Sequence, residues 1–385
     1  MTFQEGPSSR GGRGSGETSS SAAACGRFRT GVFDDLPRAV MVVAAVAGAV
    51  AGPEWSRSAA PLPWLISLVF VGLPHGAADF AVSRTICRGR MLALVWTGYA
   101  AAMAAVAALF VAAPLLSIAA FAALSCWHFG AAAGESESPK PHAAPDTLMA
   151  GVVSRGCGVL ALPLAAWPAA TAAAATDLVA LAVGPHAAAG MVPEAAVRSA
   201  GLALVFLTVL AAAIEGMAAA GHPPSRRSWR HDVIELAVIG SLGWFTDPLF
   251  SVGLVFLVWH AWRQMPPVAA SLSGAAPTSW PELGRALVHI HCAALPLLVP
   301  AWVLIGAAWW WLAPEHTLRG LAIVSIGGYL VVTPAHELLG AALRRMAGWR
   351  SRGFPVLPGG HADDGRGRSI SRPAMYLWRM LEIKV

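Results

Sequence analysis

The chain has 385 residues, 56% of them hydrophobic and only 12% charged, and a formal charge of +6. A soluble globular protein carries about 25% charged residues, so this composition cannot cover a water-facing surface, and the length suits one large membrane domain. In such a protein an excess of Arg and Lys reports topology rather than nucleic-acid binding, and no nucleic-acid partner is expected.

Residues 1–33 are rich in Gly, Ser and Arg. They hold too little apolar surface to fold, which predicts a disordered N-terminal tail. A bilayer-crossing helix needs about 20 mostly apolar residues. Candidate spans follow at 38–52, 63–83, 91–111, 115–132, 148–167, 197–220, 233–247, 249–265, 287–312 and 319–340. Residues 34–345 therefore read as one transmembrane domain, and residues 346–385 as a cytoplasmic C-terminal tail. The predicted fold is an all-α polytopic transmembrane helix bundle of about ten spans, multi-pass in the inner cell membrane, with both termini cytoplasmic.

The basic residues set that orientation. With the N-terminus inside, the inner loops hold Arg84, Arg88, Arg90, Lys140, Arg226, Arg227, Arg230, Arg263 and Arg285, and the outer loops little beyond Arg57, Arg198 and Arg319. This satisfies the positive-inside rule only if the Ala-rich stretch 171–190 does not cross, so that stretch is expected to be peripheral or re-entrant. Trp55, Trp64, Trp167, Trp244 and Trp309–Trp310–Trp311 then fall at outer span ends, where an aromatic belt belongs. The five cysteines form no C-x-x-C pair, which argues against a disulfide framework or zinc ribbon. Cys126 and Cys292 are expected to be small buried residues.

Ionisable residues within spans mark functional sites. His75, His128, His260, His289, His291 and His336 lie in or at the edge of spans, all in the cytoplasmic half. Four different helices bring His75, His128, His260 and His336 to depths that agree within about one helical turn at 1.5 Å per residue. Imidazole is the commonest metal ligand and suits iron, copper, zinc and nickel. An all-histidine site carries no ligand charge, so nearby carboxylates are expected to orient the rings. Asp79, four residues after His75, Glu337 beside His336, and Glu235 at an inner span end are the candidates. His289 and His291 are two residues apart and cannot both face one centre unless their helix starts late.

The words around these histidines run in order as Gly72-Leu73-Pro74-His75-Gly76-Ala77-Ala78-Asp79, Trp127-His128-Phe129-Gly130, Trp259-His260-Ala261-Trp262-Arg263-Gln264 and Thr333-Pro334-Ala335-His336. Together they resemble the Brp/Blh family of membrane β-carotene 15,15′-dioxygenases over roughly residues 60–340. The resemblance implies a helical membrane enzyme that splits the central double bond of β-carotene with O2 into two retinals at non-haem Fe(2+). It assigns metal ligands to His75, His128 and His260. The fourth position falls to His336, to the Gln264 amide oxygen or to water, with His336 taken as the ligand. Asp79, Gln264 and Glu337 stand behind the ligands, and Trp127, Phe129, Trp259 and Trp262 could flank the polyene. The chain departs from the family pattern at Phe80 and Gln264, where histidine is usual, and at Ala335, where proline is usual. Two other readings of the same residues are a carotenoid- or isoprenoid-binding protein that does not cleave, and a bis-histidine haem protein.

Overall fold

The computed structural model describes residue 28 and residues 31–136, 145–221 and 223–351. Among them every regular element is helical. In chain order the helices are α1 (Leu36–Ala51), α2 (Glu54–Ala59), α3 (Leu62–Phe70), α4 (Gly72–Ala77), α5 (Asp79–Ile86), α6 (Gly89–Ala112), α7 (Pro114–Ser136), α8 (Pro145–Ala166), α9 (Pro168–Val183), α10 (Pro185–Ala188), α11 (Glu194–Ala219), α12 (Pro223–Phe245), α13 (Pro248–Leu254), α14 (Met265–Ser273), α15 (Trp280–Leu312) and α16 (Leu318–Ser351). A π-helical turn (Gly31–Asp35) precedes α1. A second π-helical turn (Val255–Ala261) and a 3-10 turn (Trp262–Gln264) join α13 to α14.

Proline sets many of the starts. α7, α8, α9, α12 and α13 each open on proline, whose missing N–H is one the first turn leaves unused. Asp247 caps α13, accepting from the backbone N–H of Leu249 at 2.9 Å and of Phe250 at 3.4 Å.

Seven stretches among the described residues are long and apolar enough to cross a bilayer: Glu54–Ile86, Gly89–Ala112, Pro114–Ala132, Met149–Ala166, Glu194–Ala219, Trp280–Leu312 and Leu318–Leu343. The protein is an all-α, multi-pass membrane protein. The other three expected spans take different forms. Residues 38–52 become α1, of 16 residues; 233–247 is the apolar end of α12, which begins with a run of Ser and Arg; and 249–265 is the broken run from α13 to α14. The stretch 171–190 forms the short apolar helix α9 followed by α10.

The expected tails fall largely outside the described residues. Where they are described, structure continues into them. Val32 and Phe33 are buried because their carbonyls accept from Trp262 and Arg263, and α16 runs on to Ser351.

α8 lies at the densest part of the bundle, packed against α7 and α11. Glycine makes this approach possible. A Cβ on Gly156 would run into the carbonyl of Cys126, one on Gly130 into that of Val152, and one on Gly201 into the backbone of Leu164 and Ala165. Small residues at helix crossings are how membrane helices gain packing where lipid supplies no hydrophobic drive. By contrast α6, α11 and α15 leave most of their surface to lipid, including Leu94, Phe206, Met217, Val303 and Leu304.

Three expectations are corrected here. Trp64 is no belt residue: it is buried, and its Nε1–H donates to the Leu249 carbonyl at 2.8 Å. Cys292 is exposed on the lipid-facing α15, and Cys126 is half-buried. α15 starts at Trp280 rather than near residue 287, so His289 and His291 lie well inside it. There the His291 Nδ1–H donates to the Leu287 carbonyl at 2.8 Å, as expected of a membrane histidine with no other task.

The α7–α8 contact gives a stability test. Gly156→Ala should destabilise the protein by about 1–3 kcal/mol through overpacking against an immovable backbone. Gly306→Ala, where nothing lies within 4 Å, should be neutral or stabilising. Thermal unfolding of both variants in detergent reads the difference.

Candidate metal centre

The four histidines come from α4 (His75), α7 (His128), the π-helical turn (His260) and α16 (His336). Three sit where a regular helix fails. Pro74 precedes His75 in a span already broken at Val71, which has φ −135°. Pro334 lies inside α16, two residues before His336. Proline has no N–H for the helix ladder. His260 sits in a π-helical turn, a feature that recurs at functional sites because its extra residue redirects the side chains beyond it.

The rings converge. Their centroids are 4.4 Å apart for His128 and His260, 5.8 Å for His75 and His260, 6.0 Å for His75 and His336, and 5.8 Å for His128 and His336. An ion bonded at about 2.1 Å to one nitrogen of each ring stands about 3.2 Å from each centroid, so two rings on one ion lie at most about 6.4 Å apart. All four measured separations fit.

Hydrogen bonds fix which nitrogen faces inward. His128 Nδ1–H donates to the Glu337 carboxylate, and His336 Nδ1–H donates to Asp79 Oδ2 at 2.5 Å. His75 Nδ1 faces the carbonyl of Val71, one turn earlier, at 3.3 Å. A carboxylate or carbonyl only accepts, so Nδ1 carries the proton and Nε2 keeps its lone pair. The His128 and His260 Nε2 atoms are 2.8 Å apart, while the buried His260 Nδ1 has no hydrogen-bond partner. Imidazole nitrogens converging from separate helices are a donor set that a cation can complete. Two flanking carboxylates match a divalent charge. The ligand atoms offered by His128, His336 and Glu337 also lie within 4.8 Å of one another.

The carboxylates act across helices. Asp79 does not serve His75, its neighbour one turn back; it reaches His336 instead. Glu337 serves His128 rather than the adjacent His336. Gln264 neither hydrogen-bonds to these histidines nor lines the cavity beside them. In an unbroken α-helix residues 260 and 264 would share a face, but here the π-helical turn gives way to a 3-10 turn between them.

A cavity of about 520 Å³ opens from the histidines, within the range of small-molecule sites. It follows one face of α7 from His128 to Leu115, a run of about 20 Å at 1.5 Å per residue. Its walls are apolar apart from the histidine end. Trp64 Nε1–H, the Thr171 hydroxyl and the Tyr329 hydroxyl also border it, but each is engaged elsewhere, with the Leu249 carbonyl, the Pro163 carbonyl and Ser67.

Of the four aromatics expected at the polyene, Phe129 lines this cavity and packs 5.0 Å from the His260 ring. Trp127 points outward and is 43% exposed. Trp259 is buried on Glu235, and Trp262 donates to the Val32 carbonyl. Sequence reasoning missed Phe256, stacked on His260, and Tyr329. Both stand in apolar runs, and nothing in spacing separates them from ordinary core.

Four histidines, two buried and two half-buried, thus converge beside an apolar-lined cavity inside a multi-pass helical membrane protein, a class of site able to hold a metal ion. The chain matches the family model described as beta-carotene 15,15′-dioxygenase over residues 66–344, well over half its length, and it belongs to that family. It is 28% identical over 327 residues to the probable beta-carotene 15,15′-dioxygenase Blh of Halobacterium salinarum (strain ATCC 700922 / JCM 11081 / NRC-1), covering 80% of this chain and 91% of that protein. No solved structure matches. Where the family word usually carries a further histidine, Phe80 packs edge-on to Trp96 at 5.1 Å.

The hydrogen bonds predict unequal losses. His128→Ala or His260→Ala should weaken metal binding most while leaving a measurable residual site of the remaining ligands, and Asp79→Asn and Glu337→Gln should weaken it less, by about 10–100-fold. Metal titration of the purified protein, followed calorimetrically, checks the ranking.

Proposed function

We propose that the chain cleaves the central 15,15′ double bond of β-carotene with O2 to give two molecules of retinal, at Fe(2+) held by His75, His128, His260 and His336. The observation that carries this reading is the convergence of four imidazoles beside an apolar cavity, in a chain of the β-carotene dioxygenase family. One O2 and one carbon–carbon double bond yield two aldehydes, so the balance needs no external reductant. Bound iron supplies the capacity to react with O2.

The protein's own groups do the rest. His128 and His336 keep their inward lone pairs because Glu337 and Asp79 hold their Nδ1 protons. Phe129, with Phe256 and Tyr329, flanks the polyene near the metal. Trp127, Trp259 and Trp262 lie away from the cavity and support the fold around it. The apolar wall excludes water from the reacting bond. A hydrocarbon substrate dissolved in the bilayer reaches such a cavity without crossing water. The exposed Trp244, Trp310 and Trp311 suit the interfacial level of a bilayer, in line with an inner-membrane location.

The haem reading loses ground on geometry. For the pair His128 and His260, nitrogens 2.8 Å apart cannot take opposite faces of one iron, which would hold them at about 4 Å, twice a metal–imidazole bond.

Expression in a β-carotene-producing bacterium, with chromatography of the pigments, tests the proposal. Retinal should replace β-carotene with the native chain and not with His75→Ala. Unchanged β-carotene beside well-expressed native protein would overturn cleavage of this substrate and favour a binding protein. Ala122→Trp, which fills the cavity from α7, should keep its metal and lose retinal formation by at least about 10-fold, as expected when a misfit excludes substrate from the reacting centre.

A further inference from the structure

Behind the π-helical turn that carries His260 lies a buried charged network that touches neither the metal centre nor the cavity. Glu235 of α12 is its hub. Its Oε1 accepts from Arg38 Nε at 3.0 Å and from Arg263 Nη2, and its Oε2 accepts from Trp259 Nε1 at 3.2 Å. The Arg263 guanidinium also lies over the Trp259 ring, 5.4 Å from its centroid. Glu235 thus grips the residue before His260 and the residue three after it.

The same turn is held from its far side by the N-terminal segment. Arg263 Nε–H donates to the Phe33 carbonyl at 3.2 Å, Trp262 Nε1–H donates to the Val32 carbonyl at 3.0 Å, and the Phe33 and Trp262 rings stack at 5.6 Å. Val32 and Phe33 share a buried apolar cluster with Ala261 and Met265. These N-terminal residues lie outside the stretch matched by the family model, 66–344.

A buried carboxylate in a membrane domain needs a reason, since an apolar contact of similar shape would hold two helices as well. The reason here is geometric. His260 Nδ1 has no partner of its own, unlike the other three histidines, whose Nδ1 atoms face Glu337, Asp79 and the Val71 carbonyl. Its ring direction is set by the backbone of the π-helical turn and by packing against Phe129 and Phe256. The Glu235 network holds the turn on both sides of His260, at Trp259 and at Arg263.

We propose that Glu235 is a positioning residue for His260, acting through Trp259 and Arg263, and that the segment Val32–Arg38 completes the clamp. The proposal rests on the metal-centre reading above. Its test uses the full-length protein in detergent, freed of metal and titrated with Co(II), whose visible absorption reports ligand number and geometry. Glu235→Gln should lower Co(II) affinity by about 10-fold or more, in the range seen for residues that orient ligands. Its spectrum should move toward that of His260→Ala, and the double variant should be no worse than His260→Ala alone. Trp262→Phe, which keeps the stack and deletes the bond to Val32, should shift the spectrum in the same direction, and it decides the matter if Glu235→Gln does not fold. Arg263→Lys, which keeps the charge, should retain more affinity than Arg263→Ala. Trp167→Phe removes a hydrogen bond of the same kind, to the Trp244 carbonyl, and should leave the spectrum unchanged. Folded Glu235→Gln with native affinity and spectrum, or a loss fully additive with His260→Ala, would overturn the clamp while leaving the metal centre standing. Absence of any Co(II) spectrum in the native protein would overturn the metal centre itself.

Discussion

Four imidazoles packed together in a membrane interior are held to one arrangement by proton placement. A neutral imidazole donates through one nitrogen and accepts through the other, so a ring presents a lone pair inward only if its other nitrogen has an acceptor behind it. Glu337 and Asp79 provide that acceptor for His128 and His336, and the Val71 carbonyl does so for His75. The two carboxylates also bring the negative charge that four neutral ligands lack. Their placement in low dielectric is tolerable because each is bonded to an imidazole.

Delivering those rings to one point requires helices that are not ideal. A straight helix repeats its face every three to four residues and presents one histidine per span at a fixed angle. The break at Val71, the proline within α16 and the π-helical turn before Trp262 each re-aim a side chain. The close α7–α8 contact, made possible by Gly130 and Gly156, sets α7 where His128 can meet His260. Irregularity at the centre thus depends on tight regular packing around it.

This division explains what the sequence made legible. Long apolar runs disclosed the all-α membrane fold, because a bilayer span demands length and composition alone. The common depth of His75, His128, His260 and His336 was legible too, because depth follows from counting residues. Partner choice was not. Asp79 looked assigned to His75 by its spacing of four, yet it bonds His336 across the bundle. Trp64 read as a belt residue and is buried against Leu249. No composition signal marks a π-helical turn, so the aromatic words Trp127, Trp259 and Trp262 pointed to the substrate while Phe256 did not. Hydrophobic pattern records which residues avoid water; it does not record which of them face an internal cavity.

The departure at Phe80 finds a place in the same scheme. Phe80 packs edge-on to Trp96 of α6, with Arg84 over its ring, and that contact ties α5 to α6 beside Asp79. Asp79 in turn joins α5 to α16 through His336, and Glu337 joins α16 to α7 through His128. The ring-orienting bonds are therefore also cross-links of the bundle around the histidine cluster. The cost of removing one carboxylate should accordingly fall on the packing of α5, α7 and α16 as well as on the metal, since one group serves both.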